Sequence, residues 1–322
     1  VTFQDALAQY GPTSTGPTLT PAQAEAYCRR LAAEHYENFP VLSRFLPKAL
    51  RQDFANIYAY CRWSDDLGDE IHDPSRSLEL FDWWETELGR CFDGAATHPV
   101  MRALSATVSR HRIPRQPFRD LLTAFRRDQR QTRYETFADL LDYCRYSANP
   151  VGRLVLYVCG RHSPSNAELS DAICTGLQLA NFCQDVGIDA AKGRIYLPAE
   201  DRRCFGAHES DILEGRCTPA FVNLLRFEVE RTESYLQSGL PLVSRMAGRL
   251  KVVVAAFACG GLAILGKIKA GGYDVLSCRP RLSTTDIIRV FWRALWQCVL
   301  PQQVNRPLLT TVETSSAAKT PV

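Results

Sequence analysis

The chain has no C-x-x-C pair, no H-E-x-x-H and no cluster joining cysteine to histidine, although it holds 12 cysteines and 6 histidines. Those absences exclude the common zinc sites and a dithiol redox pair. The cysteines are scattered from Cys28 to Cys298, as expected of reduced thiols used as small core residues in the cytosol. No basic segment leading into an apolar stretch opens the chain, so a secretory signal is not expected and a cytoplasmic protein is. Net charge is only +3, with no basic run or RNA-binding signature. Nucleic acid is therefore not an expected partner. The apolar run from Val252 to Gly266 is too short for a comfortable membrane span. It reads as a buried helix, or as a tunnel wall if the substrate is greasy.

Strand signals are missing too. No series of short alternating segments appears, nor any strand–helix alternation, which disfavours all-β and α/β folds. The patterning that is present is helical. Thr20-Pro21-Ala22-Gln23 supplies an N-cap with proline at the first helical position, opening a helix to about His35. Further helices are expected at 48–69, 75–91, 98–111, 115–129, 136–160, 166–188, 217–245, 247–270 and 284–299. Breaks fall at Asp93-Gly94, Pro114, Pro164, Pro198 and Gly271-Gly272. The expectation is a single all-α domain over 20–299, a disordered leader over 1–19 and a flexible tail over 300–322.

Two acidic stretches interrupt this pattern, each closing an apolar helix. The first, Ser64-Asp65-Asp66-Leu67-Gly68-Asp69-Glu70, sets acids against the negative end of the helix dipole, where cations are favoured. Either a bound cation offsets that cost or the acids form a solvated helix end. Asp65 and Asp69, like Asp185 and Asp189 in the second stretch, are four residues apart and share one helix face. If the two helices face each other, four carboxylates converge, and a hard cation such as Mg²⁺ between them would bridge to substrate phosphates. Gln178, Asn181, Asp185 and Asp189 form one polar stripe on an otherwise apolar helix, which suits the lining of a polar cavity. Arg62 could hold a phosphate or neutralise Asp65 or Asp66. Lys192 and Arg194 could meet diphosphate oxygens or balance Asp185 and Asp189. Gly261 to Ile268 imitates a phosphate-binding loop but has no preceding strand, and isoleucine stands where Ser or Thr would bind Mg²⁺. Packing through small residues explains those glycines better.

Taken together, Cys61-Arg62-Trp63-Ser64-Asp65-Asp66 through Glu70 and Leu177 through Pro198 resemble the squalene/phytoene synthase family over roughly residues 20–295. The resemblance implies an isoprenoid-synthase helical bundle enclosing a central cavity. It also implies Mg²⁺ held against an isoprenoid diphosphate by Asp65, Asp69, Asp185 and Asp189. Gln178 and Asn181 match polar substrate-site residues beside the second motif, Arg62 a phosphate-contacting arginine, Tyr273 a pocket tyrosine, and His35 the start of a flap segment. Four departures stand out. Glu37 replaces the flap lysine, Gln184 the arginine before the second motif, and Ile188 a glutamate within it. Asn149-Pro150-Val151-Gly152 replaces G-T-V-G. With Phe125-Arg126-Arg127-Asp128 and Tyr143 to Pro150, these resemble the family's bacterial hopanoid-pathway branch. Enzymes of that branch convert presqualene diphosphate to hydroxysqualene. The rival within the family is head-to-head condensation of farnesyl or geranylgeranyl diphosphate. The rival from another class, a non-catalytic binding protein, is opposed by the retention of all four motif aspartates. Lipidic substrates would bring peripheral contact with the inner face of a membrane, and contact with other squalene-pathway enzymes.

Overall fold

The computed structural model describes residues 2–14, 16, 18–35 and 47–299, with His35 described by its backbone alone. Fifteen α-helices are present among them: α1 (Phe3–Tyr10), α2 (Pro21–His35), α3 (Arg51–Asp69), α4 (Pro74–Phe92), α5 (Pro99–His111), α6 (Gln116–Asp128), α7 (Phe137–Ser147), α8 (Asn149–Val158), α9 (Pro164–Ala191), α10 (Ala199–Phe205), α11 (Glu209–Leu213), α12 (Pro219–Gly239), α13 (Leu242–Arg245), α14 (Arg249–Ala270) and α15 (Thr284–Val299). Described residues contain no strand, and one isolated bridge joins Arg133 to Ile195. The all-α expectation holds.

Capping explains most of the starts. The Thr20 hydroxyl accepts from the Gln23 amide at 3.4 Å while Gln23 Oε1 accepts from the Thr20 amide at 2.9 Å. Asp73, Ser163 and Thr218 cap α4, α9 and α12, each with proline next, where the missing N–H costs nothing. Two long helices expected from periodicity are split. The segment 136–160 divides at Ala148, before Pro150, and 217–245 divides after Gly239, before Pro241. Proline removes a donor and clashes with the preceding turn, which overrides an unbroken apolar pattern.

The expected loose leader is a correction. Thr2 and Asp5 form a capping box for α1. Phe3 meets the Trp63 ring edge-on at 5.1 Å, and Tyr10 meets Tyr27 at 5.4 Å. The aromatic residues anchor a segment that its glycines and prolines had suggested was loose. The flexible tail expected over 300–322 lies outside the described residues.

Helix α3 is buried through Tyr60, Trp63 and Leu67 against α2, α4, α5 and α6, with Trp63 and Trp84 stacked at 5.5 Å. Helix α9 runs 28 residues between α8, α12 and α14. A Cβ on Gly176 would stand 2.8 Å from the Leu236 side chain and 2.9 Å from its backbone nitrogen, so only glycine lets α9 and α12 approach this closely. One on Gly261 would stand 2.9 Å from Leu177, which bears out small-residue packing there. Among the described residues α14 alone is long and apolar enough to cross a membrane; it packs against α9, α12 and α15.

Candidate active site

Both acidic stretches end their helices as expected, and the ends of α3 and α9 meet at one polar cavity of about 330 Å³. Asp65 and Asp69 enter it from α3, and Gln178, Asn181 and Asp189 from α9. Arg194 follows α9 into the same space, 3.7 Å from Asp69. One wall is aromatic. Tyr196 stacks on Phe182 with centroids 4.0 Å apart and planes 5° from parallel, and Tyr143 stands beside them.

The carboxylates crowd one another. Asp65 is pushed up to about 6 by desolvation and the neighbouring Asp69 charge, against the pull of Arg62. Asp189 also rises to about 6, through desolvation and Asp185, opposed by Lys192 and Arg194. Asp128, at the end of α6, rises to about 7, chiefly through burial. Its Oδ2 accepts from the Tyr143 hydroxyl at 3.0 Å, while its buried Oδ1 has no hydrogen-bond partner among the described residues. Hard oxygen donors set in pairs around an open cavity, with one acceptor left over, fit Mg²⁺. That ion binds through one or two carboxylates, keeps waters and takes oxygens from substrate phosphate. Among the described residues no three Asp, Glu, His or Cys could hold an ion by themselves, so phosphate oxygens would complete the shell.

Asp185 departs from the expected convergence. Arg279, on the segment after α14, donates to it twice, Nε to Oδ1 at 2.5 Å and Nη2 to Oδ2 at 3.0 Å. Gln184 donates to the Pro280 carbonyl at 2.6 Å, which holds that segment along α9. Asp185 does not line the polar cavity. Gln184, Lys192 and Arg279 instead line a separate groove.

The other expected site residues divide. Arg62 pairs with Asp66 at 2.5 Å and with Asp65 at 3.8 Å, the neutralising alternative. It faces a different hollow, toward α1 and α2. Tyr273 does not reach the polar cavity; its ring lies under the Arg226 guanidinium at 5.3 Å. A positive φ of 65° sets its direction as α14 ends. The His35 side chain and the flap residues after it lie outside the described residues. Sequence reasoning gave no role to Asp128 or Arg279. Asp128 stood in a quoted segment, whereas nothing local marked Arg279, whose partner is far away in the chain.

Beyond the polar cavity, the same two helices line an apolar one of about 280 Å³. Tyr58 and Cys61 on α3 lie within two turns of Asp65, and Ile173, Cys174 and Leu177 on α9 lie just before Gln178. Helix α14 closes the space with Val253, Val254 and Phe257. A polar head and a hydrocarbon tail would fit side by side.

An all-helical bundle with acidic helix ends at a polar cavity, beside an apolar one, defines the isoprenoid-synthase fold. The chain belongs to the squalene/phytoene synthase family, whose pattern it matches over residues 32–286. It is 38% identical to the hydroxysqualene synthase of Rhodopseudomonas palustris, over 65% of this chain and 71% of that protein. To the phytoene synthase of Arthrospira platensis it is 33% identical, over 82% of this chain and 91% of the relative. The crystal structure of squalene synthase HpnC from Alicyclobacillus acidocaldarius superposes with a TM-score of 0.76 at 45% identity, covering 79% of this chain and 95% of that one. Enzymes of the family act on isoprenoid diphosphates, typically with Mg²⁺.

Proposed function

We propose that the chain converts presqualene diphosphate and water to hydroxysqualene and diphosphate. The supporting observation is the charge of the polar cavity: among its described lining residues Arg194 is the one cation, against Asp65, Asp69, Asp128 and Asp189. Gln184, which replaces the family's arginine, is engaged with the Pro280 carbonyl. Such a cavity suits one diphosphate better than the two that condensation must hold. The similarity to hydroxysqualene synthase and HpnC points the same way.

Asp65, Asp69 and Asp189 would hold Mg²⁺ in the polar cavity, with Asp185 joining them once Arg279 releases it, and the ion would neutralise charge growing on the leaving diphosphate. Arg194 adds a charge-assisted hydrogen bond to that diphosphate, and Gln178 and Asn181 orient it. The C–O bond to diphosphate breaks and leaves a cyclopropylcarbinyl cation. The apolar cavity excludes bulk water from the tail, while the faces of Phe182 and Tyr196 lie beside the polar end and stabilise positive charge. After rearrangement one water oxygen bonds to the cation, and its proton passes to the released diphosphate. Atoms and charge then balance with no reductant.

Condensation of farnesyl diphosphate remains the second reading, favoured by the similarity to phytoene synthase over 82% of the chain. Incubating the protein with Mg²⁺ and either presqualene diphosphate or farnesyl diphosphate separates the two. Hydroxysqualene from the first substrate supports the proposal. A C30 or C40 product from farnesyl diphosphate, with presqualene diphosphate unconverted to the alcohol, would overturn it.

A further inference from the structure

Helix α15 has two apolar faces. One packs on α14 through Val290, Ala294 and Cys298, each four residues from the next. The opposite face carries Ile288, Trp292 and Val299, with Trp296 beside them. They are exposed by 52%, 66%, 81% and 66%. Helical geometry joins the four into one continuous strip. Single exposed apolar residues are ordinary, but a contiguous strip containing two tryptophans marks a binding surface.

Charge selects its occupant. The one acid of α15, Asp286, is buried and paired with Lys267 at 2.7 Å, with Arg289 at 3.7 Å. The exposed side therefore offers Arg289 and Arg293 and no exposed acid. A second copy would present the same arginines to these. An anionic lipid surface complements them, and tryptophan flanked by arginine is the composition that settles at the headgroup layer.

The buried face of the same helix backs onto a wall of the apolar cavity. Val254 of α14 lines the cavity and packs against the same buried cluster as Val290 and Cys298 of α15. Two other cavity residues, Val151 and Phe257, reach the surface at 38% and 39% exposure.

We propose that α15 lies in the surface of an anionic lipid bilayer, with Trp292 and Trp296 in the headgroup layer and Arg289 and Arg293 against lipid phosphates. A docked enzyme could then exchange a hydrocarbon chain between membrane and cavity, a consequence that rests on the proposed function; the docking itself does not.

The test is flotation of the full chain, without substrate, with phosphatidylcholine vesicles containing or lacking phosphatidylglycerol. The wild type is expected to float with the mixed vesicles and to be released by salt. A Trp292→Ser/Trp296→Ser variant should bind about tenfold more weakly or worse. Arg289→Gln/Arg293→Gln should lose the preference for phosphatidylglycerol. Equal binding by the tryptophan variant would overturn the proposal. So would a wild type that ignores vesicles, whether or not sedimentation shows the strip pairing copies or hydrogen exchange shows residues 300–322 covering it. Because no turnover is measured, failure of the proposed reaction leaves this result untouched.

Discussion

Arg279 grips both oxygens of Asp185 from a segment far along the chain. The pair turns one of four motif carboxylates away from the polar cavity and puts a cation in competition with any metal for it. Replacing Arg279 with alanine should therefore lower the Mg²⁺ concentration that half-saturates turnover. The stability cost should be small, about 1 kcal/mol, because the arginine is one-third exposed. Mg²⁺ titration of turnover with a thermal melt checks both. An unchanged half-saturation would mean that Asp185 does not hold the ion directly.

Asp65→Asn and Asp189→Asn should each lower kcat by about 100-fold or more while leaving the metal-free protein folded. Both side chains sit among like charges, so losing one removes repulsion rather than support. Single-turnover assays alongside circular dichroism separate the two effects. A variant with near-normal turnover would remove that residue from the metal set.

Asp65, Asp128 and Asp189 are all raised from 3.8, to about 6, about 7 and about 6. A raised acid binds its proton more tightly folded than unfolded, so its contribution is fullest at low pH. It is lost as pH rises from about 4 toward 7. Comparing melts of metal-free wild type and Asp128→Asn across that window isolates one such group. The variant should lose less stability with rising pH. Parallel profiles would show that the Asp128 carboxyl is not perturbed.

Val155 lines the apolar cavity. Val155→Phe should narrow it and raise KM for presqualene diphosphate about tenfold, with an overpacking cost of about 1–3 kcal/mol. The Mg²⁺ dependence should not move, which steady-state kinetics at several Mg²⁺ concentrations would reveal.

Gly176→Ala should destabilise by about 1–3 kcal/mol, since the new methyl meets the backbone of α12 as well as a side chain. Chemical denaturation measures this, and a neutral result would require α9 and α12 to pack more loosely than described.

What could be read in the sequence was whatever is written locally. The i, i+4 aspartates, the Gln178–Asp189 stripe and the Thr20 cap all depend on neighbours within a few turns, and helix geometry gives them one outcome. Arg279 was not legible, because its meaning comes from Asp185, with α12 and α14 folded in between. Tyr273 failed for a similar reason: the backbone turn at the end of α14 decides which way its ring points. Helix α1 was obscured by Gly11 and Pro12, although Phe3 and Tyr10 find aromatic partners that secure it.

Helix α9 touches both cavities, Ile173 in the apolar one and Asp189 in the polar one. At a rise of about 1.5 Å per residue the span between them is about 24 Å, and Gly176 locks it against α12. The helix is thus a ruler, whose rise sets how far the floor of the apolar cavity lies from the acidic end of the polar one. Re-gauging this enzyme for a longer or shorter hydrocarbon would mean moving the far wall, because the scale itself cannot slide.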